Sequence, residues 1–142
     1  MPTRTSEATW TGSLREGEGE FVVGEDFASG EYTFVSRFED EEGESQKTNP
    51  EELIGAAHAS CFSMALSADL GRADYEAERV HTTAAVHLED GAISRIDLVT
   101  EASVPGIDDE EFQEIAQGAK EGCPVSRALA AVPEITLDAR LV

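Results

Sequence analysis

Cys61 and Cys123 are the only cysteines of the chain, and each could act as a nucleophile, a redox partner or a metal ligand. His58 precedes Cys61 by three residues, so on a helix the two share a face, and Cys123 could join them around an ion. Structural zinc usually takes four ligands, often from C-x-x-C or H-x-x-x-H pairs, and neither spacing occurs. His81 and His87 are six apart on one strand face, too far for one ion, and read as packed or surface residues. No metal ligand is assigned. Position alone favours Cys123 as the reactive thiol, because it opens a short helix with Pro124, and a helix N-terminus lowers a thiol's pKa. Cys61 lies inside an apolar helix, where cysteine often behaves as a small hydrophobe. By position, Cys123 is the nucleophile and Cys61 is filler.

The stretch from Asn49 to Leu70 must hold Cys61 in place. Asn49 can cap, Pro50 suits the first helical position, and Glu52 completes an Asn-x-x-Glu capping box. Glu51 and Glu52 sit where the helix macrodipole favours negative charge. From Leu53 to Leu66 no residue is charged apart from whatever His58 carries, which predicts a long central helix buried on all sides.

Around it the apolar periodicity is mostly that of strands. Ala8, Trp10, Gly12 and Leu14 alternate with polar residues as in a half-buried strand, and Glu20 to Val23 begins a second. Glu31 to Phe38 predicts a third, with Tyr32, Phe34, Ser36 and Phe38 on one face and Arg37 a lone cation on the other. Such an arginine can simply pack its stem and send its head to water. The run from Glu39 to Glu44 reads as a solvated acidic loop, with Gly71 and Asp74 breaking the central helix. Val80 to Leu88 and Ile96 to Val104 alternate on either side of Asp90-Gly91, a strong hairpin signal. Asp108 and Glu111 form a second capping box ahead of a helix with Phe112, Ile115, Ala116 and Ala119 on one face. Gly122 stops it, a short helix runs from Pro124 to Ala130, and Ile135 to Leu141 closes as a strand. The order predicts a single α+β domain over residues 1–142 with antiparallel sheets.

Thirty acidic residues against ten basic ones give a formal charge of −20. Such a surface repels phosphate backbones and argues against nucleic-acid binding. It suits a salt-rich cytoplasm, where screening relieves self-repulsion. No basic start followed by an apolar run marks a signal peptide, and the longest apolar stretch reads as too short and too rich in Gly and Ala to span a membrane. The expected location is the cytoplasm.

Three motifs together resemble the OsmC family, the osmotically inducible and organic-hydroperoxide-resistance thiol peroxidases. They are Asn49-Pro-Glu-Glu-Leu-Ile-Gly-Ala-Ala-His-Ala-Ser-Cys-Phe-Ser-Met-Ala-Leu66, Val104-Pro-Gly-Ile107 and Gly122-Cys-Pro-Val-Ser126. The likeness extends over nearly the whole chain, including Trp10-Thr-Gly12, and Tyr32-Thr-Phe-Val-Ser-Arg-Phe38 is similar to the OsmC branch in particular.

The resemblance implies a peroxidase with Cys61 as peroxidatic and Cys123 as resolving cysteine, the reverse of the positional assignment. It further implies that Arg37 holds the Cys61 thiolate, that Glu51 orients Arg37, and that the fold is an intertwined homodimer with central helices packed together. By the same resemblance the substrate is an organic hydroperoxide, the reductant is a small dithiol or a lipoyl-bearing protein, and no cofactor takes part. Two other classes remain open: a binding protein that kept the fold without the chemistry, and a disulfide oxidoreductase acting on protein thiols. The latter usually carries its cysteines as C-x-x-C. Glu51 and Cys61 are ten residues apart on one expected helix, roughly 15 Å at ~1.5 Å per residue. That span is long for a single Arg37 to serve both, and it favours a site shared between two chains.

Overall fold

Short apolar runs separated by glycine turns make an antiparallel meander of the first strands, β1 (Ser6–Thr11), β2 (Glu18–Val23) and β3 (Ala28–Tyr32), with β2 in the middle. The computed structural model describes all residues from Met1 to Val142, in two compact units, Met1–Leu53 and Ile54–Val142. In the first unit Gly19 pairs with Tyr32, and a Cβ there would lie 2.3 Å from the Tyr32 ring, so only glycine fits. Trp10 packs against the same ring at 5.6 Å between centroids. The rest of β1 is exposed rather than half-buried, because it is an edge strand shielded only at Trp10.

The third predicted strand stops early. Residues Phe34–Phe38 form a short helix, α1, because Thr33 and Ser36 cap one another. The Ser36 amide donates to Thr33 Oγ1 at 3.1 Å and the Thr33 amide to Ser36 Oγ at 2.8 Å. This reciprocal cap offers the backbone a better set of bonds than the alternation of aromatic residues offers a strand. Arg37 therefore projects from a helix, not from a strand face.

The long helix α2 (Pro50–Arg72) starts where expected, and Asn49 Oδ1 accepts the Glu52 amide at 2.8 Å. Only half the predicted box forms, because the Glu52 carboxylate takes the Thr48 hydroxyl at 2.6 Å instead. Gly71 stays within the helix, and Asp74, at φ 66°, makes the turn beyond it.

In the second unit β4 (Arg79–Glu89) and β5 (Ala92–Ser103) form the predicted hairpin, with Asp90 and Gly91 both at positive φ in its turn. Helices α3 (Asp109–Gly122) and α4 (Pro124–Ala128) follow, and β6 (Glu134–Leu141) returns to the sheet beside β5. β6 runs parallel to β5, so this sheet is not wholly antiparallel as the sequence suggested. The two-helix crossover carries the chain back to the start of β5, and a crossover of that length makes a parallel neighbour. Phe62, Leu66 and Leu70 of α2, Ile96 and Leu98 of β5, and Phe112 and Ala116 of α3 share one core with no exposed surface. Each large side chain so buried stabilises the unit by about 1.5–3 kcal/mol.

The central helix is buried on one face only. His58, Phe62, Leu66 and Leu70 point inward, whereas Ala56, Ala57, Ser60, Met64, Ser67 and Ala68 lie open, with Met64 75% exposed. A three-stranded sheet covers one side of a helix, and nothing in this chain covers the other. By length and composition α2 is also apolar enough to cross a membrane, contrary to the sequence reading. Its inward row instead packs into a protein core.

Candidate active site

In the first unit, α1 and the start of α2 are tied together through Ser36. Its hydroxyl donates to the Thr48 carbonyl at 2.8 Å, and Asn49 Nδ2 donates to the Ser36 carbonyl at 3.1 Å. The residue after Ser36 is thereby aimed at the first turn of α2. Arg37 Nε lies 3.2 and 3.3 Å from the two Glu51 oxygens, and Nη2 lies 2.9 Å from Oε1. A planar guanidinium held along its Nε–Nη2 edge by one carboxylate is fixed in orientation as well as in place. Glu51 is buried, while the Arg37 side chain stays 38% exposed and can face a further anion. Beside it a cleft of about 260 Å³ is lined by Trp10, Tyr32, Phe34 and Phe38, with Arg37 on its wall.

In the second unit, Cys61 from the middle of α2 comes close enough to Cys123, at the junction of α3 and α4, for each thiol to influence the other's ionisation. Both are free thiols, Cys61 partly exposed and Cys123 fully buried. Burial pushes the Cys61 thiol up, and the neighbouring Cys123 adds to the rise. Burial also opposes charge on Cys123, but the polar neighbours Ser126 and Cys61 favour the charged form, and its pKa falls below the ordinary value. The charged form is therefore less favoured on Cys61 than on Cys123.

His58, one turn before Cys61 on the inward face, is fully buried. Its Nε2 lies 2.7 Å from Ser126 Oγ, and its Nδ1 has no partner. Burial lowers its pKa, so the ring is neutral near neutral pH. His81 and His87 are exposed on β4, and His87 Nε2 bonds Asp97 at 2.9 Å.

A sequence model of the family described as OsmC-like protein matches residues 43–138. The chain belongs to the OsmC family. It is 47% identical to peroxiredoxin OsmC of Escherichia coli K12 over 143 residues, 97% of this chain and 96% of that protein. It is 31% identical over 99 residues to organic hydroperoxide resistance protein-like 1 of Staphylococcus saprophyticus, 67% of this chain and 70% of that protein. The crystal structure of an OsmC-like protein from Mycoplasma pneumoniae superposes with a TM-score of 0.73 at 15% identity, covering 99% and 98% of the two chains. The family's α+β architecture is thus present, with its central helix and two small sheets.

Of the four residues predicted for the site, Arg37 joins Glu51 in one unit, and Cys61 joins Cys123 in the other. Sequence reasoning passed over Ser126, although it stands three residues after Cys123 in a turn opened by proline. That spacing brings a side chain back toward the residue at the helix start. His58, which the sequence places on one helix face with Cys61, is buried and its ring meets the Ser126 hydroxyl.

Proposed function

We propose that this chain is a two-cysteine peroxidase that reduces organic hydroperoxides to alcohols in defence against oxidative and osmotic stress. The observation that carries the reading is the meeting of two thiols far apart in sequence, one partly open and one sealed in the core. A peroxide can reach Cys61 and cannot reach Cys123, which supports Cys61 as the attacking sulfur despite its raised pKa. Its thiolate attacks the near oxygen of ROOH: an S–O bond forms, the O–O bond breaks, and the alkoxide leaves as ROH after taking a proton. The Cys123 thiolate then attacks the Cys61 sulfenic sulfur, forming the disulfide and expelling hydroxide, which leaves as water. A small dithiol or a lipoyl-bearing protein reopens the bond by exchange and is itself oxidised.

In this reading Arg37 stabilises the Cys61 thiolate and polarises the peroxide, with Glu51 fixing its fork. The aromatic cleft beside Arg37 suits an alkyl or lipid chain better than bare hydrogen peroxide. In this reading residues 1–142 are a single OsmC-like domain. The chain acts as a homodimer in the cytoplasm, with Arg37 and Glu51 of one protomer serving Cys61 of its partner. The uncharged outer face of α2, where Ser60 spends its hydroxyl on the Ala56 carbonyl at 2.8 Å, supports a second copy there.

One observation favours the opposite order of attack, since the lowered pKa belongs to Cys123. Single substitutions separate the two orders. With cumene hydroperoxide and a dithiol, Cys61→Ser abolishes turnover, whereas Cys123→Ser consumes about one equivalent and carries sulfenic or higher oxides on Cys61 by mass spectrometry. Turnover retained in Cys61→Ser, with oxides on Cys123, would reverse the roles. Absence of any peroxide consumption by the intact protein would leave a binding protein or a protein-thiol oxidoreductase.

A further inference from the structure

His58 is a buried polar group that the peroxidase reaction as described does not use. Its Nε2 lies 2.7 Å from Ser126 Oγ, and its Nδ1 has no partner. Either neutral tautomer makes the bond to Ser126, with the ring donating in one and the hydroxyl in the other, and in both Nδ1 stands alone. Burying a polar nitrogen unpaired is unfavourable, and an apolar side chain of similar volume would avoid it. What the ring provides, and such a side chain would not, is the contact to Ser126.

That contact has a particular place in the fold. His58 stands one helical turn before Cys61 in α2. Ser126 stands three residues after Cys123, in the turn that the Arg127 amide closes on the Cys123 carbonyl at 3.0 Å. The bond therefore joins two helical turns that each carry one cysteine, about 5–6 Å along its own helix from the bonded residue. It is the only hydrogen bond made by a side chain of α4, and no backbone hydrogen bond links α4 to α2. Beyond its chain connection to α3, this segment is held by half-buried Val125 and Leu129 against the core, and apolar packing is non-directional.

We propose that the His58–Ser126 bond is a clamp that docks α4 on α2, sets the approach of Cys123 to Cys61, and so decides whether the Cys61 sulfenic acid is resolved or over-oxidised. The proposal rests on the two-cysteine reading above. Both residues act through the placement of the cysteines and are positioning residues.

The sulfenic acid has two fates. In the first, the Cys123 thiolate attacks the Cys61 sulfur: the S–S bond forms, the S–O bond breaks, and hydroxide departs and takes up a proton to become water. In the second, the sulfenate sulfur attacks another ROOH: a second S–O bond forms, the O–O bond breaks, and ROH leaves with sulfinic acid behind. The first rate is intramolecular and depends on where Cys123 is held, while the second grows with peroxide concentration. The concentration at which the two products form equally thus measures docking, and the fraction of folded protein cancels from it. One neutral hydrogen bond shifts a docking equilibrium by about five- to tenfold, so its loss lowers that concentration by about the same factor.

The experiment treats the reduced full chain with rising cumene hydroperoxide, without dithiol, and weighs disulfide against sulfinic acid by mass spectrometry. It compares the wild type, His58→Leu, Ser126→Ala and the double variant. The clamp predicts an equal-product concentration about five- to tenfold lower in each single variant, and no lower in the double, because both changes remove the same bond. An unmoved concentration would overturn the clamp and leave the pair as core packing, and so would effects that multiply in the double variant. A second arm needs no peroxide. One thiol attacks 4,4′-dithiodipyridine and releases a thiopyridone, and the other then attacks the mixed disulfide, breaking it and releasing a second. The clamp predicts that this second phase, independent of reagent concentration, slows by about the same factor in the single variants. Slowing in a protein that consumes no peroxide would uphold the clamp and remove the peroxidase reading, whereas an unslowed phase would overturn the clamp whatever the peroxide result. Should His58→Leu or Ser126→Ala not fold, Ser126→Thr and Ser126→Val, nearly equal in volume and differing in the hydroxyl, read the same bond. Thr closes the disulfide faster than Val if the clamp holds, and equal rates overturn it.

Discussion

Replacing Glu51 with Gln keeps the size of the side chain and removes the charge that orients Arg37. Glu51 is 7% exposed and meets the guanidinium at 2.9, 3.2 and 3.3 Å. Breaking a fully buried ion pair costs about 3–5 kcal/mol, but water screens this one, because the Arg37 side chain is 38% exposed. A loss of about 1–2 kcal/mol of stability is the reasoned value, visible as a urea midpoint lowered by roughly 0.5–1 M. A glutamine can turn only its oxygen to the arginine, and its amide donors then oppose the remaining guanidinium N–H groups. The fork is released, and misplacement of a catalytic group by ~1 Å can cost about 10²-fold. The expected kcat/KM for an organic hydroperoxide, measured by initial rates with excess dithiol, therefore falls by about 10- to 100-fold. Glu51→Asp keeps the charge but withdraws it by one methylene, and should fall between wild type and Gln. A lowered urea midpoint with unchanged kcat/KM would refute the reasoning and leave the Arg37–Glu51 fork as a purely structural clasp.

The proposed sharing of the site between two protomers predicts complementation: Cys61→Ser and Arg37→Ala, each inactive alone, should recover about a quarter of wild-type activity on refolding together, because a mixed two-fold dimer would hold one intact site. No recovery in verified heterodimers would place both residues in one protomer. The acidity predicts that the thermal midpoint falls on dilution from about 1 M to about 0.01 M salt, as the Debye length grows from ~3 to ~30 Å. An unchanged midpoint would dissociate the −20 charge from any salt-rich setting.

Where local chemistry and tertiary packing point the same way, the fold could be read from the residues. Asp90-Gly91 makes its hairpin, and the period-two rows on β4 and β5 alternate in burial as expected. Failures occurred where one residue had a better partner than the nearest one. Glu52 and Glu111 both leave their capping boxes half made, Glu52 for the Thr48 hydroxyl and Glu111 for the Tyr75 hydroxyl at 2.7 Å. The stretch from Phe34 to Phe38 alternates like a strand, yet Thr33 and Ser36 close it into a helix. Parallel pairing of β6 follows from the crossover, which local periodicity does not encode. The site was half legible. The resemblance paired the two cysteines and the fork, but Ser126 gains its meaning only when α2 lays His58 against it.

The thiol proposed to attack is the one that holds its proton harder, and this apparent contradiction has a physical resolution. Cys61 and Cys123 influence each other's ionisation, with the pKa of Cys61 raised and that of Cys123 lowered, so the two thiols compete for one negative charge. Ser126 draws the negative charge toward Cys123. A guanidinium brought near Cys61 would draw it the other way, and at an effective dielectric of 20 a unit charge 4 Å off is worth about 4 kcal/mol, more than one hydrogen bond to a charged group at about 1.5–3 kcal/mol. Arrival of the Arg37 fork would then move the charge to the sulfur that a peroxide can reach. Once Cys61 is oxidised it no longer competes for the charge. Ser126 then favours the Cys123 thiolate that closes the disulfide. One pair of thiols can thus present its charge first to the substrate and next to the intermediate, with the order set by which neighbour is present.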